Sequence, residues 1–125
     1  MLRLVHIIET YWLVLGLLLL TAITLLSLLP AVQLPDVPGT DKTHHFIAYG
    51  ALMLPIALAR PKHWLLIGLG FIAWSGAIEL IQPYVNRYGE WLDLLANAAG
   101  VGCGIMVAEI IHLIIRKVAP PTPQP

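Results

Sequence analysis

The stretch WLDLLANAAGVGCGIMVAEIIHLII, Trp91 to Ile115, decides how this chain must be read. It exceeds the roughly 20 apolar residues that a helix needs to cross a bilayer. Its first half nevertheless carries Asp93 and Asn97, four residues apart, followed by Gly100 and Gly104. On a helix these four share one face, with polar groups at one end and small residues below them. Small residues at a GxxxG spacing allow two membrane helices to approach closely. The face that packs is therefore also the face that carries the carboxylate.

The rest of the chain suits this reading. It has 125 residues, is 58% hydrophobic and only 11% charged, and has a mean hydropathy of +0.82. An ordinary soluble domain is about a quarter charged. Net charge is zero, so no basic footprint points to nucleic acid. The single Cys103 lies inside an apolar run and cannot form a disulfide within the chain.

Four spans are expected: Tyr11–Leu29, His44–Ala59, Trp64–Ile81 and Trp91–Ile115. The fold class is thus all-α, a polytopic membrane protein with a small bundle of four transmembrane helices. The runs are too long for barrel strands and lack their alternation. The first span is read as retained, because SLLPAVQLP offers no small-x-small cleavage site. One domain covers 1–118, and the proline-rich tail 119–125 is expected to be disordered.

Direction follows from lysine and arginine. Arg3, Arg60, Lys62, Arg116 and Lys117 lie on one side, against Lys42 and Arg87 on the other. Both termini are expected in the cytoplasm. The loops Pro30–Thr43 and Gln82–Glu90 then face outward, while the cytoplasmic ends offer little beyond basic flanks. Glu109, three residues before His112, is expected to pair locally or to snorkel. Pro55 should kink the second span.

The outward ends hold the chemistry. DKTHHFIAYG, Asp41–Gly50, opens the second span, and PGTD reads as a turn leading to an N-cap. Asp41, His45 and Tyr49 recur every four residues and share a face. Glu79 and Gln82 end the third span on a stripe that runs inward through Ser75, Ile72 and Gly68. The candidate pocket is therefore Asp41, Lys42, His45, Tyr49, Glu79, Gln82, Arg87, Asp93 and Asn97, with Gly100 and Gly104 as packing residues. Adjacent His44 and His45 point about 100° apart and cannot both ligate one ion from one helical face. Glu79, Asp93 and a histidine are a weak metal signal, so no metal site and no cofactor are assigned. Taken singly, Asp41, Lys42, Arg87 and Glu90 are the kind of residue that often only meets headgroup water.

These residues carry a resemblance. DKTHHFIAYGALM and AIELIQPYVNRYGEWLDLLANAAGVGCG resemble the VanZ-like family of bacterial membrane proteins. The family's Asp-Lys, His-Phe and Tyr fall on Asp41, Lys42, His45, Phe46 and Tyr49. Its Glu-x-x-Gln, Arg and Asp-x-x-x-Asn-x-x-Gly fall on Glu79, Gln82, Arg87, Asp93, Asn97 and Gly100. The match spans roughly 41–104 and departs at Tyr88-Gly89-Glu90. The resemblance implies a bacterial inner-membrane protein with a cell-envelope role, in a family linked to low-level teicoplanin resistance, and leaves the reaction open. Three functions compete. The first is binding or processing of a lipid headgroup or lipid-linked precursor, with Lys42, Arg87 and a histidine holding phosphate. The second is a structural or accessory subunit among membrane-protein partners. The third is transport, which four short spans favour least.

Overall fold

The computed structural model describes residues 1–34 and 36–119. Its helices are α1 (Leu2–Thr10), α2 (Trp12–Leu28), α3 (Asp41–Ala59), α4 (Trp64–Ile81) and α5 (Trp91–Val118), and no strand occurs among the described residues. Short 3₁₀ turns cover Ala31–Gln33 and Gln82–Val85. The expected disordered tail lies outside the described residues, apart from Ala119.

Helices α4 and α5 are each long and apolar enough to cross a membrane, and α1 with α2 would make a third span bent by 73°. The chain is a helical membrane protein. Leucines along α2 and α4 point away from the protein, with Leu18 64% and Leu66 62% exposed. That arrangement suits a hydrocarbon solvent, which leucine meets without loss.

Helix α3 has the opposite character. Tyr49, Leu52, Met53, Ile56, Ala57 and Leu58 are all buried, so from Leu52 to Leu58 it is covered nearly all round, while Phe46 and Ile47 stay exposed. It packs against α1, α2, α4 and α5, most extensively against α5. The shortest expected span is therefore the axle of the bundle. Its polar first turn explains why apolarity alone does not mark it as a span. Thr40 caps it, with Oγ1 accepting from Thr43 N at 3.2 Å, so the helix starts at Asp41 rather than at His44. The helix runs through Pro55 without interruption.

Close contact between α3 and α5 depends on glycine. A Cβ on Gly104 would lie 2.6 Å from the carbonyl oxygen of Gly50, and one on Gly100 would overlap that of Phe46. Helix α2 crosses α3 at the buried Gly16, against Ile56. Val101 is not on a free face as the Gly100–Gly104 stripe suggests. It is 4% exposed and packs near Gly68 of α4. Helix α5 is clasped on two sides, so its permissive position is Gly102, which has open space around it.

The sequence reading did not anticipate α1. Val5 is buried and Ile8 and Trp12 are half-buried against the core, an i, i+3, i+7 stripe legible in the sequence. The basic end of the bundle is also richer than expected. Glu109 pairs with Arg60 across the α3–α5 interface rather than with a neighbour on its own helix. His112 Nε2 meets the Leu58 carbonyl at 3.1 Å and Glu9 at 3.9 Å, joining α1, α3 and α5.

Candidate functional site

At the other end, three helix termini converge: the start of α3, the end of α4 and the start of α5. The last turn of α4 faces inward because Ser75, Ile78 and Glu79 recur at helical spacing, and all three are buried. The first turns of α5 bury Asp93 and Asn97 for the same reason.

A hydrogen-bonded chain links the helices. Asn97 Oδ1 lies 3.0 Å from His45 Nδ1, and Asn97 Nδ2 donates to Ser75 Oγ. One amide thus joins α3, α4 and α5. His45 Nε2 faces Asp93 Oδ2 at 3.6 Å. Glu79 Oε2 accepts from the backbone N–H of Glu90 at 2.9 Å. That contact requires the chain to pass very close to α4 at Gly89, where a Cβ would overlap the Glu79 carbonyl. The departure noted at Tyr88-Gly89-Glu90 therefore has a steric role. Lys42 Nζ pairs with Glu90 at 2.8 Å and lies 3.6 Å from Asp93.

The other expected pocket residues take different work. Gln82 is 1% exposed, and its Nε2 donates to the Ser27 carbonyl at 3.1 Å. Arg87 Nη1 donates to the carbonyls of Leu26 and Leu29, both at 3.1 Å. The last carbonyls of a helix have no partners within it. Gln82 and Arg87 supply them for α2, and so act as its cap from another part of the chain. The expected phosphate-holding pair is thus already engaged, Lys42 by Glu90 and Arg87 by these carbonyls.

Beside this network lies a cavity of about 680 Å³. Ile23 and Leu26 of α2 form an apolar wall, and Asp41, His45, Tyr49 and Asp93 face it. The Asp41–His45–Tyr49 face predicted from spacing therefore lines one space. Arg87 borders it too, while Lys42, Glu79 and Asn97 do not line it. His44 also borders it, held by its Nε2 against the Pro38 carbonyl at 2.9 Å.

Sequence reasoning missed Ser75 as a hydrogen-bonding partner, although it stands four residues before Glu79 on the same stripe. It also missed Asp36 and the α2 wall, which no local pattern connects to α3.

The fold and this buried polar cluster define a helical membrane protein with polar side chains buried where the start of α3, the end of α4 and the start of α5 meet. A family model described as VanZ/LLP1 matches residues 2–112, and the chain belongs to that family. No curated protein and no solved structure matches it.

Proposed function

We propose that the chain is a four-pass bacterial inner-membrane protein that receives a lipid headgroup, or the head of a lipid-linked envelope precursor, in the cavity beside His45 and Asp93. The observation that carries this reading is the two-sided cavity, with an apolar wall from α2 and a polar wall from α3 and α5. An acyl chain suits the first and a headgroup the second. The lysine and arginine bias supports a cavity that opens outward, with both termini in the cytoplasm.

Charge narrows the headgroup. The cavity holds Asp36, Asp41 and Asp93 against Arg87 and two imidazoles. A bare phosphate is opposed by those carboxylates. A head bearing an amine or a sugar beside its phosphate fits better. The expected result is that the full chain in nanodiscs of mixed composition retains phosphatidylethanolamine or a sugar-bearing undecaprenyl lipid over phosphatidylglycerol in native mass spectrometry. Ala48→Trp, placed on the cavity wall, should abolish retention without lowering folded yield. Equal retention of phosphatidylglycerol, or retention unchanged by Ala48→Trp, would contradict the reading.

Orientation has its own test. Reporter fusions after Pro125 should remain cytoplasmic, and fusions within Leu34–Thr40 should be exported. An exported C-terminal reporter would overturn the four-pass arrangement.

A second reading has its own support. The Asn97 amide joins three helices, as structural glue would, which suits an accessory subunit of a membrane complex, a role linked here to no reaction. His45→Gln separates the two. In a binding cavity it removes lipid while the protein still accumulates, and in structural glue it lowers accumulation.

A further inference from the structure

We infer that His45, Glu79 and Asp93 form a binding site for one divalent transition-metal ion, of the Mn²⁺ or Zn²⁺ kind. One ligand atom from each of the three lies within 4.8 Å of the other two. Glu79 is 9% exposed and Asp93 5% exposed. Each keeps a buried carboxylate oxygen with no hydrogen-bond partner, Glu79 Oε1 and Asp93 Oδ1, of which Oδ1 has the Lys42 ammonium 3.6 Å away. A buried carboxylate oxygen without a partner is costly, and more so in a membrane. A cation placed between the two groups removes that cost.

Charge points the same way. Three carboxylates, Glu79, Glu90 and Asp93, meet at this place, and among the described residues only the Lys42 ammonium pairs with any of them apart from the imidazole. Arg87, the nearby guanidinium, is donated to backbone carbonyls of α2.

The imidazole is set for coordination. Asn97 turns its carbonyl oxygen to His45 Nδ1 and its amide nitrogen to Ser75. With the amide so turned, Nδ1 carries the proton, because an amide oxygen only accepts. The lone pair of a neutral ring then sits on Nε2, which faces Asp93 Oδ2. A lone pair opposite a carboxylate is repulsive unless a cation lies between them. A second group that orients a ligating histidine through its other nitrogen is the usual companion of a metal site. One nitrogen and two oxygens suit Zn²⁺ or Mn²⁺, since imidazole favours the first and carboxylate the second. His45 and Asp93 also line the cavity, so a remaining coordination position would open into it.

The experiment takes the full chain in nanodiscs, strips it with EDTA, and titrates Mn²⁺ followed by electron paramagnetic resonance. Zn²⁺ is titrated in parallel and counted by elemental analysis after desalting. The expected result is about one ion per chain and a higher melting temperature with the ion. Bound Mn²⁺ should show nitrogen coupling from one imidazole. Glu79→Gln and Asp93→Asn should each weaken binding at least about tenfold, and Asn97→Ala about 10–100-fold through ring orientation. Glu109→Gln, at the opposite end of the bundle, should leave the stoichiometry unchanged.

A cooperatively melting parent protein that takes up no stoichiometric ion overturns the inference, and so does a bound ion without nitrogen coupling. The parent measurements decide the matter even where a variant fails to fold. No lipid ligand enters the readout, so ion binding and headgroup selection can fail independently.

Discussion

Gly100→Leu and Gly104→Leu are expected to abolish recovery of folded protein from detergent, while Gly102→Leu on the same helix leaves it intact. The three positions differ by what surrounds them. A single added carbon at Gly100 overlaps the Phe46 carbonyl and lies 3.1 Å from Gly50 N. At Gly104 it lies 2.6 Å from the Gly50 oxygen and 3.1 Å from Met53 Cβ. Those obstacles are mostly backbone and cannot rotate away. Overpacking a core with flexible neighbours costs about 1–3 kcal/mol, and backbone obstacles should cost more. The polar chain above would separate too, because His45 on α3 and Asn97 on α5 span the same interface. At Gly102 nothing lies within 4 Å, and an added leucine meets lipid. The measurement is extracted yield and melting temperature of the three variants beside the parent. Parent-like behaviour of both Gly100→Leu and Gly104→Leu would refute the close-packed α3–α5 face.

Asn97→Leu is expected to be the most damaging change among the polar positions. It removes the acceptor for His45 Nδ1–H and the donor to Ser75 Oγ together. An orphaned buried group costs about 1–3 kcal/mol in water-soluble proteins. Interhelical hydrogen bonds in bilayers average nearer 0.6 kcal/mol, since the separated helices find other partners. Two bonds lost at one site should then destabilise by about 1–3 kcal/mol. Ser75→Ala breaks only one of them and should cost less. Steric trapping or a reversible melt in mixed micelles would rank the two. The network account fails if Ser75→Ala matches or exceeds Asn97→Leu, or if Asn97→Leu melts like the parent.

The sequence by itself determined the helical membrane class, the limits of α4, a cap within PGTD and the polar ends of three helices. These are local matters. An apolar run of sufficient length has few alternatives in lipid, because every backbone group must be satisfied within the helix. Spacing of four likewise placed Asp41, His45 and Tyr49 on one cavity wall, and Asp93 and Asn97 above two glycines, without knowledge of any partner helix.

Tertiary structure decided the partners. Hydropathy ranks α3 as the weakest span, yet its position makes it the buried axle, because burial depends on how many helices surround it and not on its own composition. Arg87 and Gln82 also cap α2, a helix more than fifty residues earlier in the chain, and no local pattern connects them to it. Val101 looked free because only one packing face was visible in its helix, and α4 supplied the second. The meeting of His45, Glu79 and Asp93 is of the same kind. Each sits at the end of a different helix, and only the crossing of α3, α4 and α5 at their glycine and serine faces brings the three ligand atoms together.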